Sequence, residues 1–562
     1  MAKIRRKLAL FLLVAFLATT FAPNVFASVP DDGFSDIAGH WAEKAISRWA
    51  QKGIVYGYNG RFNPDSGITR AEFCAVINRI FGYTKKSSTN FDDVKPGKWY
   101  ADDVAIAKEA GYIAGYGNNL FGPEDRITRQ DAARIIFEVF RFSAAESSIL
   151  TNFEDHSEIS SYAREAVAVL ADKGYMVGYN NLFRPKDNLT RAEFISILDR
   201  IVAELFNSPG TYSDLKTSGN IIVSSDGVIL EDIATEGNLY LAEGIGEGSV
   251  TLNNVKVKGD TFVNGGGENS VIINNSSIET LIVAKSNGKI RIVAGGDTRV
   301  SNVRLNSGAI LEEENPASGF DSVEIIEIPE GQEVVIDGDF DEIVVSAPGA
   351  NIIISGGTVN NLVISENAGG ANILVSQGAL IRTLDINAAA NVNGEGRIIT
   401  ANINAANVTI SQEPYIINIL EGIKANVGGR TVDRSTLSEG SKDSTTPEET
   451  EPESEWTLVW ADEFDGDAID TSKWDLVDAG GGFGNQEAQY YSPDNAKVED
   501  GKLIITARKE KHPKATYENY TSAKLVSKFS KKCGRIEARI KLPLGTGLWP
   551  AFWMMPENSV YG

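Results

Sequence analysis

The sequence predicts a multidomain chain. An all-α repeat bundle comes first, an all-β, parallel β-helix-like region follows, and a second β-rich segment closes the C-terminus. Three observations carry this. A G-x-x-x-G-Y motif recurs at residues 53–58, 111–116 and 174–179. Short Val/Ile alternations between Gly- and Asn-rich corners fill residues 211–433. An acidic, Ser/Thr/Pro-rich stretch then sets off the last segment. At 562 residues the chain is too long for one core, because domains run to roughly 100–200 residues each.

The N-terminus sets the compartment. Lys3, Arg5, Arg6 and Lys7 precede an apolar run from Leu8 to Phe21, and Val25-Phe26-Ala27 ends it with a small residue at the cleavage position. Residues 1–27 read as a secretory signal cleaved before Ser28. The run is shorter than the roughly 20 residues a bilayer demands. No later stretch is long and apolar enough to span one, so no membrane span is expected after signal cleavage. The net charge of -23 excludes nucleic acid as a partner, because phosphate recognition needs a Lys/Arg excess. Any anionic partner must be held by local cations. Cys74 and Cys533 fall in different segments, which excludes a disulfide framework or a C-x-x-C metal site and leaves buried free thiols.

Residues 28–90, 91–150 and 151–210 are three copies of one unit. Phe62/Pro64, Phe121/Pro123 and Phe183/Pro185 follow each G-x-x-x-G-Y. Ile68-Thr69-Arg70-Ala71-Glu72 is matched by Ile127-Thr128-Arg129-Gln130-Asp131 and by Leu189-Thr190-Arg191-Ala192-Glu193. Asp36, Asp93 and Asp155 lie upstream, each before an aromatic-Ala pair (Trp41-Ala42, Tyr100-Ala101, Tyr162-Ala163). Ala42, Ala45, Ile46 and Trp49 have helical spacing, so Trp41 to Lys52 is a predicted helix stopped by Gly53. Gly57 is expected to permit the turn that follows. Thr69 and Glu72 form a capping box for a second helix through Phe81. Two such helices cannot bury a core alone, whereas three copies can.

These residues resemble the S-layer homology (SLH) family. The resemblance implies a pseudo-threefold helical bundle that binds secondary cell-wall polysaccharide, often pyruvylated, and so a secreted protein held at the bacterial cell wall or S-layer. Carried over by position, Arg70, Arg129 and Arg191 are the candidate polymer-binding residues. A guanidinium suits a carboxylate ketal because it donates two parallel charged hydrogen bonds. Without the resemblance, Thr-Arg-x-Glu reads as a cap with a solvated arginine. The second copy departs from the pattern at Gln130-Asp131.

In 211–433, alternations such as Val250-Leu252, Val271-Ile273 and Ile352-Ile354 recur between corners such as Asn264-Gly265-Gly266-Gly267. Strands of this length and spacing predict a parallel β-helix, with an antiparallel sandwich pair as the alternative. Aromatic residues are sparse and scattered (Tyr240, Phe262, Phe320, Phe340, Tyr415). The region reads as a stiff spacer, ahead of an accessory glycan-binding surface and of a lyase. Residues 434–455 are low-complexity and acidic, and read as an extended linker.

From Trp456 the pattern changes again. Val459-Trp460-Ala461-Asp462-Glu463-Phe464, Gly484-Asn485-Gln486-Glu487 and Gly547-Leu548-Trp549-Pro550-Ala551-Phe552-Trp553 occur in order, with a strand-like alternation at Arg535–Lys541 between the last two. The segment 456–562 resembles the N-terminal part of glycoside hydrolase family 16, nearest to laminarinases and β-1,3(4)-glucanases. That implies a partial β-jelly roll of the concanavalin-like sandwich type, and retaining hydrolysis of β-glucans by two carboxylates about 5–5.5 Å apart. The family's Glu-x-Asp-x-x-Glu motif is not found in 456–562, so catalytic residues are assigned to none of these positions and this chain is expected to be incomplete and inactive as it stands. Asn485, Arg535, Arg539, Trp549 and Trp553 are the implied substrate-binding positions. The resemblance also implies a structural calcium with Glu463 as ligand.

Overall fold

The computed structural model describes residues 33–439 and 459–554, except 145–146, 269, 315–318, 485–486, 500, 517, 532–535, 537, 544–547 and 549. The signal segment and most of the acidic linker lie outside the described residues. The linker's first residues form a short helix, Arg434–Glu439. The chain divides into two compact units, Met1–Lys442 and Asp443–Gly562.

The first unit opens with three helix pairs: α1 (Glu43–Gln51) and α2 (Arg70–Phe81), α3 (Ala101–Glu109) and α4 (Arg129–Val139), α5 (Arg164–Asp172) and α6 (Arg191–Ile201). Thr69 and Thr190 head α2 and α6 with complete capping boxes, and Thr128 caps α4 through the Asp131 N–H. Gly53, Gly111 and Gly174 follow α1, α3 and α5 in the left-handed conformation, as helix stops require. Gly57 has a different reason from the expected one. Its φ is ordinary, but an added Cβ would strike the Arg61 carbonyl, and Gly115 and Gly178 face the same obstacle from Leu120 and Leu182. Close approach, not backbone handedness, selects these glycines.

The copies close on one another in a ring. Ile68 N–H donates to the Leu189 carbonyl, Leu189 N–H to Ile127, and Ile127 N–H to Ile68, at 2.9, 2.9 and 3.1 Å. Inside the ring, Phe62, Phe73, Phe121, Phe183 and Phe194 are fully buried, with Phe73 stacked on Phe194 at 4.3 Å.

Helix α6 runs directly into the strand Val202–Phe206. From there to residue 432 the chain winds as a parallel β-solenoid of two long sheets with 14 and 13 strands. Only the final pair of the second sheet, Ala425–Val427 with Arg430–Val432, is antiparallel. The twelve strands of that sheet before Arg430–Val432 pair in parallel, and at about 4.8 Å per rung they make a stack about 50 Å long. The parallel pairing excludes the sandwich alternative. Inward columns are aliphatic, as in Leu230–Leu252–Ile273. Outward columns stack amides: Asn391 donates to Asn372 and Asn372 to Asn351, at 3.1 and 3.2 Å. These ladders account for the asparagine-rich composition, since amide side chains stacked in register satisfy one another.

The bundle and the solenoid share a core. Tyr240 and Phe262, 22 residues apart, stack at 5.1 Å because they occupy neighbouring rungs. Tyr240 also meets Phe81 and Phe140 edge-on at 6.0 and 5.7 Å. Gly82 and Gly244 pass so closely that a Cβ on either would hit the other's backbone. On the opposite side Lys52 donates to the Leu205 carbonyl at 2.8 Å, and Arg48 binds Asp199 and the Ala203 carbonyl.

The described residues of the second unit form three two-stranded sheets. Trp474–Leu476 pairs antiparallel with Leu525–Ser527, Gln489–Tyr491 parallel with Tyr520–Ser522, and Ala496–Val498 antiparallel with Leu503–Ile505. These short pairs are consistent with part of a β-jelly roll. The strand expected at Arg535–Lys541 is not formed by its described residues, which are irregular and exposed. No described strand pairs with them, and an unpaired strand has no ladder to hold it.

Candidate functional site

The three predicted arginines follow the ring symmetry. Arg70 Nε donates to the Phe121 carbonyl at 2.8 Å and Nη2 to Ala114 at 3.0 Å. Arg129 reaches Phe183 and Val177 in the same way, at 2.8 and 3.0 Å. Arg191 closes the cycle on Phe62 and Tyr56, both at 2.9 Å. Each guanidinium lies over the Phe ring of the copy it clasps, at 4.5–5.1 Å. Each arginine thus crosses from its own copy to the next one. Burial pulls the Arg129 and Arg191 guanidinium groups below their ordinary pKa, and Glu193 and Glu72 beside them act against that shift.

The copies are not equivalent. Arg191 pairs with Glu72 at 2.9 Å and Arg129 with Glu193 at 3.2 Å. Their counterpart Asp131 is one methylene shorter. Its carboxylate accepts from Thr128 at 2.6 Å and Tyr162 at 2.5 Å, and Arg70 pairs with no carboxylate among the described residues. Burial and Asp131 push the Tyr162 hydroxyl up to about 12.

A cleft of about 240 Å³ opens on the third copy, with Arg129 reaching in from the second copy and Trp41 from the first. Its other lining residues are Met176 to Tyr179, Arg184, Glu193, Ser196, Ile197 and Arg200. Trp41 and Tyr179 are largely exposed. The cleft therefore combines flat aromatic faces, suited to a sugar ring, with three guanidinium groups against one carboxylate. Trp41 and Tyr179 stood in the sequence only as parts of the repeat pattern, and Arg184 and Arg200 were not singled out. Arg184 had a signal, since it stands where the other copies carry Asn63 and Gly122.

In the second unit, Asn485, Arg535 and Trp549 lie outside the described residues. Arg539 is exposed in an irregular stretch, apart from any described strand. Trp553 is more than half exposed and lies 5.0 Å from the Lys524 ammonium. Lys524 also sits over Phe483 at 4.5 Å and Tyr491 at 5.5 Å. Glu487 accepts from the Tyr491 hydroxyl at 2.7 Å, and this contact with burial holds that phenol at about 12. The group gathers three aromatic rings around one ammonium, which their faces attract. Glu463 is exposed, and among the described residues no three potential metal ligands cluster. Among them no helix is long and apolar enough to cross a membrane.

The S-layer homology domain model matches residues 33–74, 90–133 and 152–195, and the Glycosyl hydrolases family 16 model matches residues 483–561. An amylopullulanase of Thermoanaerobacterium thermosulfurigenes is 36% identical over 37% of this chain and 11% of its own length. A beta-glucanase of Rhodothermus marinus is 50% identical over 19% of this chain and 38% of its own. An S-layer protein of Bacillus licheniformis is 28% identical over 41% of this chain and 29% of its own. The chain thus spans well under half of each of these relatives. It carries three S-layer homology domains, which mark it as cell-surface and wall-anchored, and a segment of glycoside hydrolase family 16.

Proposed function

We propose that this chain is the anchoring and glucan-binding part of a secreted endo-β-1,3(4)-glucanase of the laminarinase type. In this reading the bundle holds secondary cell-wall polysaccharide and the solenoid spaces the glucan-binding segment from the wall. The observation that carries the wall-binding half is the cleft on the third copy, with Trp41 and Tyr179 beside Arg129, Arg184 and Arg200. The glucan half is supported by the match of residues 483–561 and by the aromatic faces around Lys524. Retaining cleavage needs two carboxylates on one strand face. Residues 456–562 contain no Glu-x-Asp-x-x-Glu, so binding alone is assigned to them.

The experiment is binding of the full chain to bacterial sacculi and to laminarin, with reducing-sugar release measured in parallel. Binding to both without release is the expected outcome. Binding to sacculi but not laminarin would instead favour a non-catalytic S-layer or cell-surface glycan-binding protein.

A further inference from the structure

We infer that the end of the solenoid remote from the bundle is an interface for a second copy of this chain, and that the two ends interlock. The sheets stop unevenly. On its main path the first sheet stacks twelve strands, against thirteen in the second. The first sheet ends at Ile416–Ile419, whereas Arg430–Val432 folds back on Ala425–Val427 and carries the second sheet one strand further. No described strand pairs with the outer edge of Ile416–Ile419. Such an edge offers its N–H and C=O groups to another chain.

The side chains at this step differ from those of earlier rungs. Two rungs before, Ile381, Leu384 and Ile386 are fully buried. Ile417, Ile419 and Ile423 pack on the same core but are only partly covered. Tyr415, Ile416 and Leu420 are exposed. The terminal turn of a solenoid needs a polar outer face to stay unpaired, and this one is apolar. Residues 440–455, which follow, contain no aliphatic or aromatic residue to cover it.

Charge and shape both select a second copy. Residues 305–381 hold thirteen Asp and Glu and no Lys or Arg, so two copies repel one another flank to flank. Residues 405–434 are balanced, three cations against three anions. Arg430 pairs with Glu413, Arg434 with Glu421 at 3.4 Å, and Lys424 with Asp433 at 3.5 Å. A twofold interface sets a patch against itself and needs this self-complementarity. The step meets the same condition. A twofold axis between the sheets, parallel to the strands, lays the Arg430–Val432 strand of each copy beside the Ile416–Ile419 edge of the other. Each seat is one strand wide, about 4.8 Å, and the two cores become continuous. The joined pair presents one repeat bundle at each end.

The test is sedimentation velocity of the full chain across a dilution series. A species of twice the chain mass that dissociates on dilution is expected. Ile416→Lys and Leu420→Lys, both at exposed positions, should abolish that species without moving the melting temperature. Ile540→Lys, at an exposed apolar position of the second unit, should leave it intact. Amide exchange of the wild type needs no variant, and protection of residues 416–419 and 430–432 should rise together with concentration. A chain monomeric at every concentration overturns the proposal. So does a dimer that I416K and L420K leave intact while I540K dissolves it. Protection of 416–419 already complete in the monomer overturns it too, because the chain would then cover its own edge.

Discussion

The Tyr240 hydroxyl donates a 2.7 Å hydrogen bond to the Phe140 carbonyl, one hundred residues earlier in the chain. Tyr240 belongs to the solenoid and Phe140 closes α4 of the repeat bundle, so one buried contact ties the two together. Tyr240→Phe should cost about 1–3 kcal/mol, because it leaves a buried carbonyl without its donor. Tyr240→Ala should cost about 3–5 kcal/mol through the cavity it opens. Calorimetry of the full chain should show bundle and solenoid unfolding together in the wild type, and separating in Y240A.

The same junction carries a pH dependence. Glu243 lies beside Arg141 and Tyr83, and burial raises its carboxyl to about 7. Its unfolded value is near 4.5, so the neutral form favours the fold. The contribution is fully present below pH 4.5 and is lost as pH rises through 7. At about 1.4 kcal/mol per pK unit the loss is of order 3 kcal/mol. Melting of the first unit should therefore weaken between pH 5 and 8, and Glu243→Gln should flatten that part of the profile. Glu313, likewise raised to about 7 by burial, adds a slope of the same sign that E243Q leaves in place.

Arg129 and Arg200 separate stability from binding. Arg129→Ala removes a buried clasp on Val177, Phe183 and Glu193 and should destabilise the bundle by about 3–5 kcal/mol. Arg200→Ala removes an exposed cation at the cleft and should leave the melting temperature within about 1 °C, while weakening sacculus binding. Glu138→Arg places a cation at the equivalent point of the second copy and should strengthen it.

Trp553→Ala should weaken laminarin binding at least ten-fold by removing a stacking face, as read by affinity electrophoresis. Lys524→Met keeps the apolar stem but removes the donor, and should weaken binding by a smaller factor. Neither substitution should alter sacculus binding.

Local patterns carried most of the fold. Thr69, Glu72 and Gly53 announced a cap and a stop, and both stand where the repeat pattern placed them. The solenoid rungs followed from apolar alternation between glycine-rich corners. What escaped were relationships between distant residues. Tyr240 and Phe262 looked scattered because a coil of 22 residues sets their stacking, and no local window contains it. Arg70, Arg129 and Arg191 were legible as a charged motif, but not as clasps between copies, because the clasped carbonyls lie 44–135 residues away. Arg184 and Lys524 are single residues whose meaning depends on neighbours that folding supplies.

The passage from Ile201 to Val202 has a mechanical consequence. Helix and first rung are consecutive, and Arg48, Lys52 and Tyr240 brace them from two sides. A load applied at the last rung therefore acts through a lever of about 50 Å, with no swivel at its foot. On the proposed wall-binding reading, a bound polymer would feel it as torque instead of a simple pull, so attachment at more than one copy would resist twisting as well as detachment.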